Sequence, residues 1–144
     1  MKRVKLGLLL AACLMTLAPM QAVRAASAPI AISFVKDCPE FTCWDTVESP
    51  VNVSTQITGG RLSGAVFHYT ATETLSSAAG SVTIEFRGSL VLNLDPNLTV
   101  LKGTVTHGSW NGLDLAGAEV HAAATRLHDT TFGGSVWIMP KTAG

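Results

Sequence analysis

The chain has 144 residues, of which 47% are hydrophobic and 14% charged, with ten basic and ten acidic side chains. Four of the basic residues and none of the acidic ones lie in the first 25 positions, so the remainder carries six basic against ten acidic residues. A protein that binds nucleic acid or anionic membranes is expected to carry an excess or a run of lysine and arginine. The remainder has neither, so the sequence argues against both classes of partner.

The first 25 residues have the pattern of a cleavable signal peptide. A cationic start, Met1 to Lys5, leads into an apolar run from Leu6 to Met20, and Val23-Arg24-Ala25 suits cleavage before Ala26. The apolar run is shorter than the roughly 18 residues that a spanning helix needs. We therefore predict a secreted or periplasmic protein with no stable membrane insertion after cleavage.

Two features of the cysteines bear on this location. Leu10-Ala11-Ala12-Cys13 resembles the lipidation motif of bacterial lipoproteins, so a lipid anchor at Cys13 is the alternative. Cleavage before Ala26 would instead leave Cys38 and Cys43 as a pair in an oxidising compartment, which predicts a disulfide. Because the loop is short, the bridge is expected to stabilise by only about 2 kcal/mol and mainly to fix a local turn.

Beyond the leader, apolar and polar residues alternate between glycine-containing turns, which is the period of half-buried strands. In the segment 51–58 the odd positions are predicted to face the core, before a turn at Gly59-Gly60. A later apolar face is formed by Val82, Ile84 and Phe86 and resumes at Leu90, Leu92 and Leu94. The predicted strands are 30–35, 51–58, 61–75 with Gly64 inside it, 81–94, 99–110, 118–126 and 132–139.

The segment 118–126 is ambiguous, because its alanines suit a helix. We predict a strand, since Ala118, Val120, Ala122 and Ala124 alternate with more polar positions. Asp95-Pro96-Asn97 predicts a turn.

These elements predict one all-β domain, with residues 26–50 forming an N-terminal strand and the cysteine loop, and 51–144 the main barrel. Seven or eight short-looped strands favour an antiparallel meander that closes into a barrel, and a two-sheet β-sandwich is the alternative. Glycines 64, 88, 103 and 134 would let the strands coil sharply enough to close.

Three segments of the C-terminal third resemble secreted bacterial proteins of the allene oxide cyclase-like and dirigent-like barrel group. They are Gly103-Thr104-Val105-Thr106, the bend from Gly108 to Ala118, and Phe132-Gly133-Gly134-Ser135-Val136. The resemblance implies a barrel with an apolar interior. It transfers no catalytic residue, because none of the cyclases' catalytic residues is matched here.

No motif identifies a catalytic residue, and neither a cofactor nor a metal site is predicted. The histidines, His68, His107, His121 and His128, have no recognised ligand spacing, although His107 and His121 with Glu119 or Glu85 would be the set to test. Charges inside long strands, Glu73, Glu85 and Arg87, either face water or require partners in the interior. Glu85 and Arg87 lie opposite the apolar face and are predicted to be solvated.

The candidate ligand contacts are three aromatic residues: Trp44 and Trp110, which lie near predicted loops, and Tyr69, which lies within the predicted strand 61–75. The leading hypothesis is an exported β-barrel that binds an apolar small molecule or a cell-envelope partner without catalysis. One alternative is a cyclase or isomerase that shapes its substrate in a dry cavity. Another is a structural or self-associating envelope module, which predicts exposed strand edges or an apolar outer patch.

Overall fold

A computed structural model of the chain describes residues 28–141, and the predicted signal peptide lies outside them. The described chain is all-β, as predicted, and contains no helix long and apolar enough to cross a membrane. Its strands are β1 (Ile30–Asp37), β2 (Thr42–Asp45), β3 (Asn52–Ser63), β4 (Val66–Ser77), β5 (Gly80–Val91), β6 (Leu98–Trp110), β7 (Leu113–Asp114), β8 (Glu119–His128) and β9 (Thr131–Met139).

Eight of these strands form a closed antiparallel barrel, which confirms the barrel over the sandwich. The order is β5-β4-β3-β2-β1-β9-β8-β6, and pairing of β5 with β6 closes the ring. The two-residue β7 lies outside the ring against the end of β6. We call the end of the barrel at which β1 finishes, at Asp37, the upper end.

Alternate residues of each strand point into the barrel, as the two-residue period predicts. On β5, Val82 and Ile84 are fully buried and Phe86 is 3% exposed, whereas Glu85 and Arg87 face water. The segment 118–126 is a strand as predicted, with Val120, Ala122 and Ala124 buried. The lower half of the barrel is filled by apolar side chains, including Ile32, Val53, Leu75, Val105, Trp110, Leu115, Val136 and Ile138.

The predicted turn at Gly59-Gly60 is wrong. β3 continues through both glycines with a bulge between Ile57 and Gly59, and the hairpin turn lies at Gly64. The ring of Phe67 from β4 occupies the space that a side chain on Gly60 would need. Gly60 therefore makes room for an aromatic ring, and neither glycine reverses the chain, whereas Gly64, with φ +58°, does.

Leu92 and Leu94 were also expected on the inner face, and this is wrong. β5 ends at Val91, and both leucines lie in the β5–β6 loop, nearly half exposed. The side-chain amide of Asn97 donates hydrogen bonds to the carbonyls of Val91, Leu92 and Leu94. This buried asparagine therefore organises the loop at the predicted Asp95-Pro96-Asn97 turn.

Closure between β5 and β6 depends on close backbone approach at Gly103, which pairs with Phe86. A Cβ on Gly103 would overlap the backbone oxygen of Glu85 and lie 2.8 Å from the Phe86 ring. We expect Gly103→Ala to lower the free energy of unfolding by about 2 to 3 kcal/mol, because backbone cannot move aside as a side chain does.

Urea denaturation of Gly103→Ala beside Gly59→Ala tests this expectation. The control adds the same methyl group to another strand, where the nearest atom is the Thr70 hydroxyl at 3.3 Å, and should stay within about 1 kcal/mol of the wild type. Equal stability of the two variants would contradict the expectation.

Candidate functional site

The loop between β1 and β2 lies across the upper end of the barrel. Cys38 and Cys43 are at disulfide bonding distance, with Cα atoms 4.3 Å apart, which confirms the predicted pair. Cys43 is buried, while Phe41 at the tip of the loop is 61% exposed. The bridge thus holds one wall of the barrel mouth in place.

Below this loop, three polar side chains are buried inside the barrel: Lys36 of β1, Thr55 of β3 and Glu73 of β4. They are 7%, 4% and 1% exposed. The Lys36 ammonium forms an ion pair with Glu73 Oε2 and donates a hydrogen bond to Thr55 Oγ1 at 3.2 Å. Thr55 Oγ1 in turn donates to Glu73 Oε2 at 2.7 Å. The two charges are therefore paired and bridged by one hydroxyl, as buried ions require.

A cavity of about 160 Å³ lies in the upper half of the barrel, next to this buried triad. Lys36 and Thr55 contribute to its wall, and Phe41 and both cysteines lie at its mouth. The other wall residues are mostly apolar or aromatic and come from β3, β4, β5, β6, β8 and β9: Ile57, Phe67, Tyr69, Leu90, Thr99, Leu101, Ala124 and Phe132. The cavity is thus apolar on most sides and polar where it meets the triad.

Tyr69 is the wall residue that the sequence singled out. Its ring packs over Gly88, where a Cβ would come within 2.5 Å of the ring, and stacks against Phe67 with centroids 5.7 Å apart. Its hydroxyl is hydrogen-bonded to Thr99 Oγ1 at 2.6 Å. Burial raises the pKa of Tyr69 to about 12; the bond to Thr99 opposes this rise, and the negative charge of Glu73 adds to it. The hydroxyl consequently stays protonated at physiological pH.

Tyr69 is the only tyrosine in the sequence, so its ionisation can be followed without assignment. We expect absorbance at 295 nm to show a tyrosinate midpoint near pH 12 in the folded protein, against about 10 after unfolding in urea. Since the folded-state pKa is the higher one, the stability due to this group is complete below pH 10 and is lost as pH rises toward 12. A folded-state midpoint near 10 would contradict this burial.

The other two predicted ligand contacts lie away from the cavity. Trp44 is on β2, next to the inward-facing Cys43, and is half exposed on the outside of the barrel. Trp110 is 7% exposed and belongs to the packed lower core, where it pairs with Gly80. The structure therefore does not bring Trp44, Tyr69 and Trp110 together, and a ligand role for the two tryptophans stays a prediction.

The four histidines are exposed and do not converge. His121 contacts Glu119 at 2.9 Å, His68 contacts Ser89 and His107 contacts Thr106. Within residues 28–141, no three side chains of the metal-ligating types are grouped so that they could hold a metal ion.

A larger concavity of about 800 Å³ lies on the outside of the barrel. It is an open groove with a mixed polar lining that includes Thr70, Glu85, Arg87, Lys102 and Glu119. Lys102 and Glu119 form a well-solvated ion pair at 3.6 Å, with side chains 71% and 55% exposed. Because these groups remain hydrated, an apolar ligand would be removed from water less completely in the groove than in the interior cavity. The groove is therefore the weaker candidate site for an apolar ligand.

Lys36 and Thr55 were not recognised as site residues from the sequence. The alternation of inward and outward residues could have identified them. Lys36 continues the inward-facing series of Ile32 and Phe34, and Thr55 is the next inward-facing residue after Val53. Glu73, between the inward-facing Ala71 and Leu75, was recognised only as a strand charge that needs a partner if it is buried.

No family model, curated protein or solved structure matches this chain. The assignment of the candidate site is therefore supported by the geometry of this structure alone. The resemblance to the allene oxide cyclase-like and dirigent-like group stays a prediction.

Proposed function

We propose that this protein is an exported β-barrel that binds a small, largely apolar molecule in the upper cavity without transforming it. The observation that carries the proposal is the cavity itself, with about 160 Å³ inside a barrel whose lower half is densely packed. Empty apolar cavities of about 150 Å³ take up molecules of the size of benzene. A single ring or a short branched chain matches this volume.

Export is the second part of the proposal. Its support is the leader-like pattern of residues 1–25 together with the Cys38–Cys43 pair, which is compatible with an oxidising extracellular environment. The protein recovered outside the cytoplasm of cells that express the full chain is expected to begin at Ala26. Intact full-length protein confined to the cytoplasm would argue against export, and a lipid-modified Cys13 would replace secretion by anchoring.

The binding proposal is tested by titrating toluene into isotope-labelled protein and following backbone amide shifts by NMR. Saturable shifts are expected on the strands that line the cavity, around Tyr69, Leu90 and Ala124, while outward-facing Lys102 and Glu119 serve as internal controls. Native mass spectrometry of protein taken from its host would show whether a natural ligand accompanies it. An absence of saturable shifts, or shifts only in the outer groove, would refute the proposal.

A cyclase or isomerase is the second candidate, favoured by the buried Lys36–Glu73 pair and the Tyr69 hydroxyl beside the cavity. Against it, no histidine or unpaired carboxylate from residues 28–141 lines the cavity inside the barrel, and the Lys36 ammonium is already paired with Glu73. The self-associating module has less support, since each of the eight barrel strands pairs with two neighbours in the described part of the chain.

A further inference from the structure

We propose that the cavity selects uncharged molecules that carry a hydrogen-bond acceptor, such as a ketone or aldehyde oxygen, and that Lys36 Nζ donates to this oxygen. The inference rests on the proposed ligand-binding function and specifies the chemistry of the ligand.

The charge balance of the cavity wall excludes ionic ligands. Lys36 and Glu73 form a buried pair with no net charge, and Glu40, the other charged residue of the lining, is exposed at the mouth. A carboxylate ligand would place a second negative charge beside Glu73, and an ammonium ligand a second positive charge beside Lys36. Neither ion would find an unpaired partner of opposite sign there, and burying an uncompensated charge is strongly unfavourable.

The hydrogen bonds of Lys36 leave one donor for a ligand. An ammonium group has three N–H donors and no acceptor. Glu73 and Thr55 accept two of them, and Nζ makes no other hydrogen bond within residues 28–141. Another group near Nζ is the Phe34 ring, whose centroid is 4.9 Å away. This ring belongs to the packed core and does not line the cavity, so it does not occupy the place of the ligand.

A second part of the wall, formed by Tyr69 and Thr99, also offers a donor. The hydroxyls of Tyr69 and Thr99 share one hydrogen bond of 2.6 Å, which uses one of their two protons. The second proton stays available, because neither hydroxyl has another hydrogen-bond partner among the described residues. Thr55, in contrast, already donates its only proton to Glu73. The cavity wall therefore has two free donors, at Lys36 Nζ and at the Tyr69–Thr99 pair, and the ammonium, unlike a hydroxyl, can only donate. An acceptor oxygen on the ligand matches this donor.

Four probes with the same six-membered ring separate these requirements: cyclohexanone, methylenecyclohexane, cyclohexanecarboxylate and cyclohexylammonium. Methylenecyclohexane has the shape of the ketone but lacks the oxygen. In NMR titrations at pH 7, cyclohexanone is expected to bind about tenfold or more tightly than each of the others, since a hydrogen bond from a charged donor typically contributes an effect of this order. The double variant Lys36→Met/Glu73→Leu is expected to lose most of this preference and to keep only the part that the Tyr69–Thr99 donor contributes.

Tyr69→Phe provides a second test that leaves the ion pair intact, and it should reduce the preference for the ketone only in part. Equal affinity of the wild type for cyclohexanone and methylenecyclohexane, or tightest binding of either ion, would overturn the inference while the proposed function stands. Failure of all four probes, together with toluene, would refute the proposed function itself.

Discussion

Replacing Lys36 by methionine is expected to lower the free energy of unfolding by about 3 to 5 kcal/mol. Methionine fills similar space, but it leaves the Glu73 carboxylate without its cation in a position that is 1% exposed. Thr55 alone would then hydrogen-bond to Oε2. Most of the loss therefore comes from an uncompensated buried charge and not from lost packing.

The double variant Lys36→Met/Glu73→Leu is expected to recover most of this loss, because both ions are removed together. Lys102→Met is the matched control: it breaks the exposed pair with Glu119 and should cost less than about 1 kcal/mol. Chemical denaturation of the four proteins measures all of these differences. A Lys36→Met variant as stable as Lys102→Met, or a double variant less stable than Lys36→Met, would contradict the buried pair.

Filling the cavity with Ala124→Leu is expected to weaken cyclohexanone binding by at least about a hundredfold. Ala124 is 2% exposed on the inner face of β8 and contributes to the cavity wall, so a leucine there would occupy the space that the ligand needs. Some destabilisation by overpacking, about 1 to 3 kcal/mol, is expected as well, because Gly134 lies close beside it.

Ala123→Leu is the control, since it adds the same carbons at the next residue on the outer face of the same strand. It should leave both affinity and fold intact. Titration of the two folded variants with cyclohexanone, with far-ultraviolet circular dichroism to verify folding, measures the effect. If Ala124→Leu bound the probe as tightly as Ala123→Leu, the ligand would not occupy this cavity.

The barrel was predictable because its strands obey the two-residue period closely. Val82, Ile84 and Phe86 face inward as that period requires, and the alanine-rich strand β8 follows it despite its helical composition. The Cys38–Cys43 pair was predictable because the predicted cleavage before Ala26 would leave these two cysteines alone.

The errors in the fold come from glycines and leucines whose roles depend on distant residues. Local propensity makes Gly59-Gly60 a turn, but the strand continues through both residues, and the ring of Phe67 from the neighbouring strand needs the space at Gly60. Leu92 and Leu94 continue the alternation in sequence, yet the strand ends before them. The Asn97 side chain donates hydrogen bonds to the carbonyls of Val91, Leu92 and Leu94 and so stabilises a loop there.

The candidate site was predictable only in part. The alternation of inward and outward residues places Thr55 and Glu73 in the interior, and it adds Lys36 only if the predicted strand 30–35 is extended to the observed end of β1. Burial of a lysine and a glutamate implies that they pair. Their meeting also requires the order β1-β2-β3-β4, with only the short β2 between the strands of Lys36 and Thr55. One sequence does not specify this order, and the cavity next to the triad depends on side-chain sizes across all eight barrel strands.

A crystal structure of the protein soaked with cyclohexanone tests the central claim most directly. We expect ring density in the upper cavity between Leu90 and Ala124, with the ketone oxygen within hydrogen-bond distance of Lys36 Nζ. A cavity closed by its own side chains, or a probe bound only in the outer groove, would contradict it.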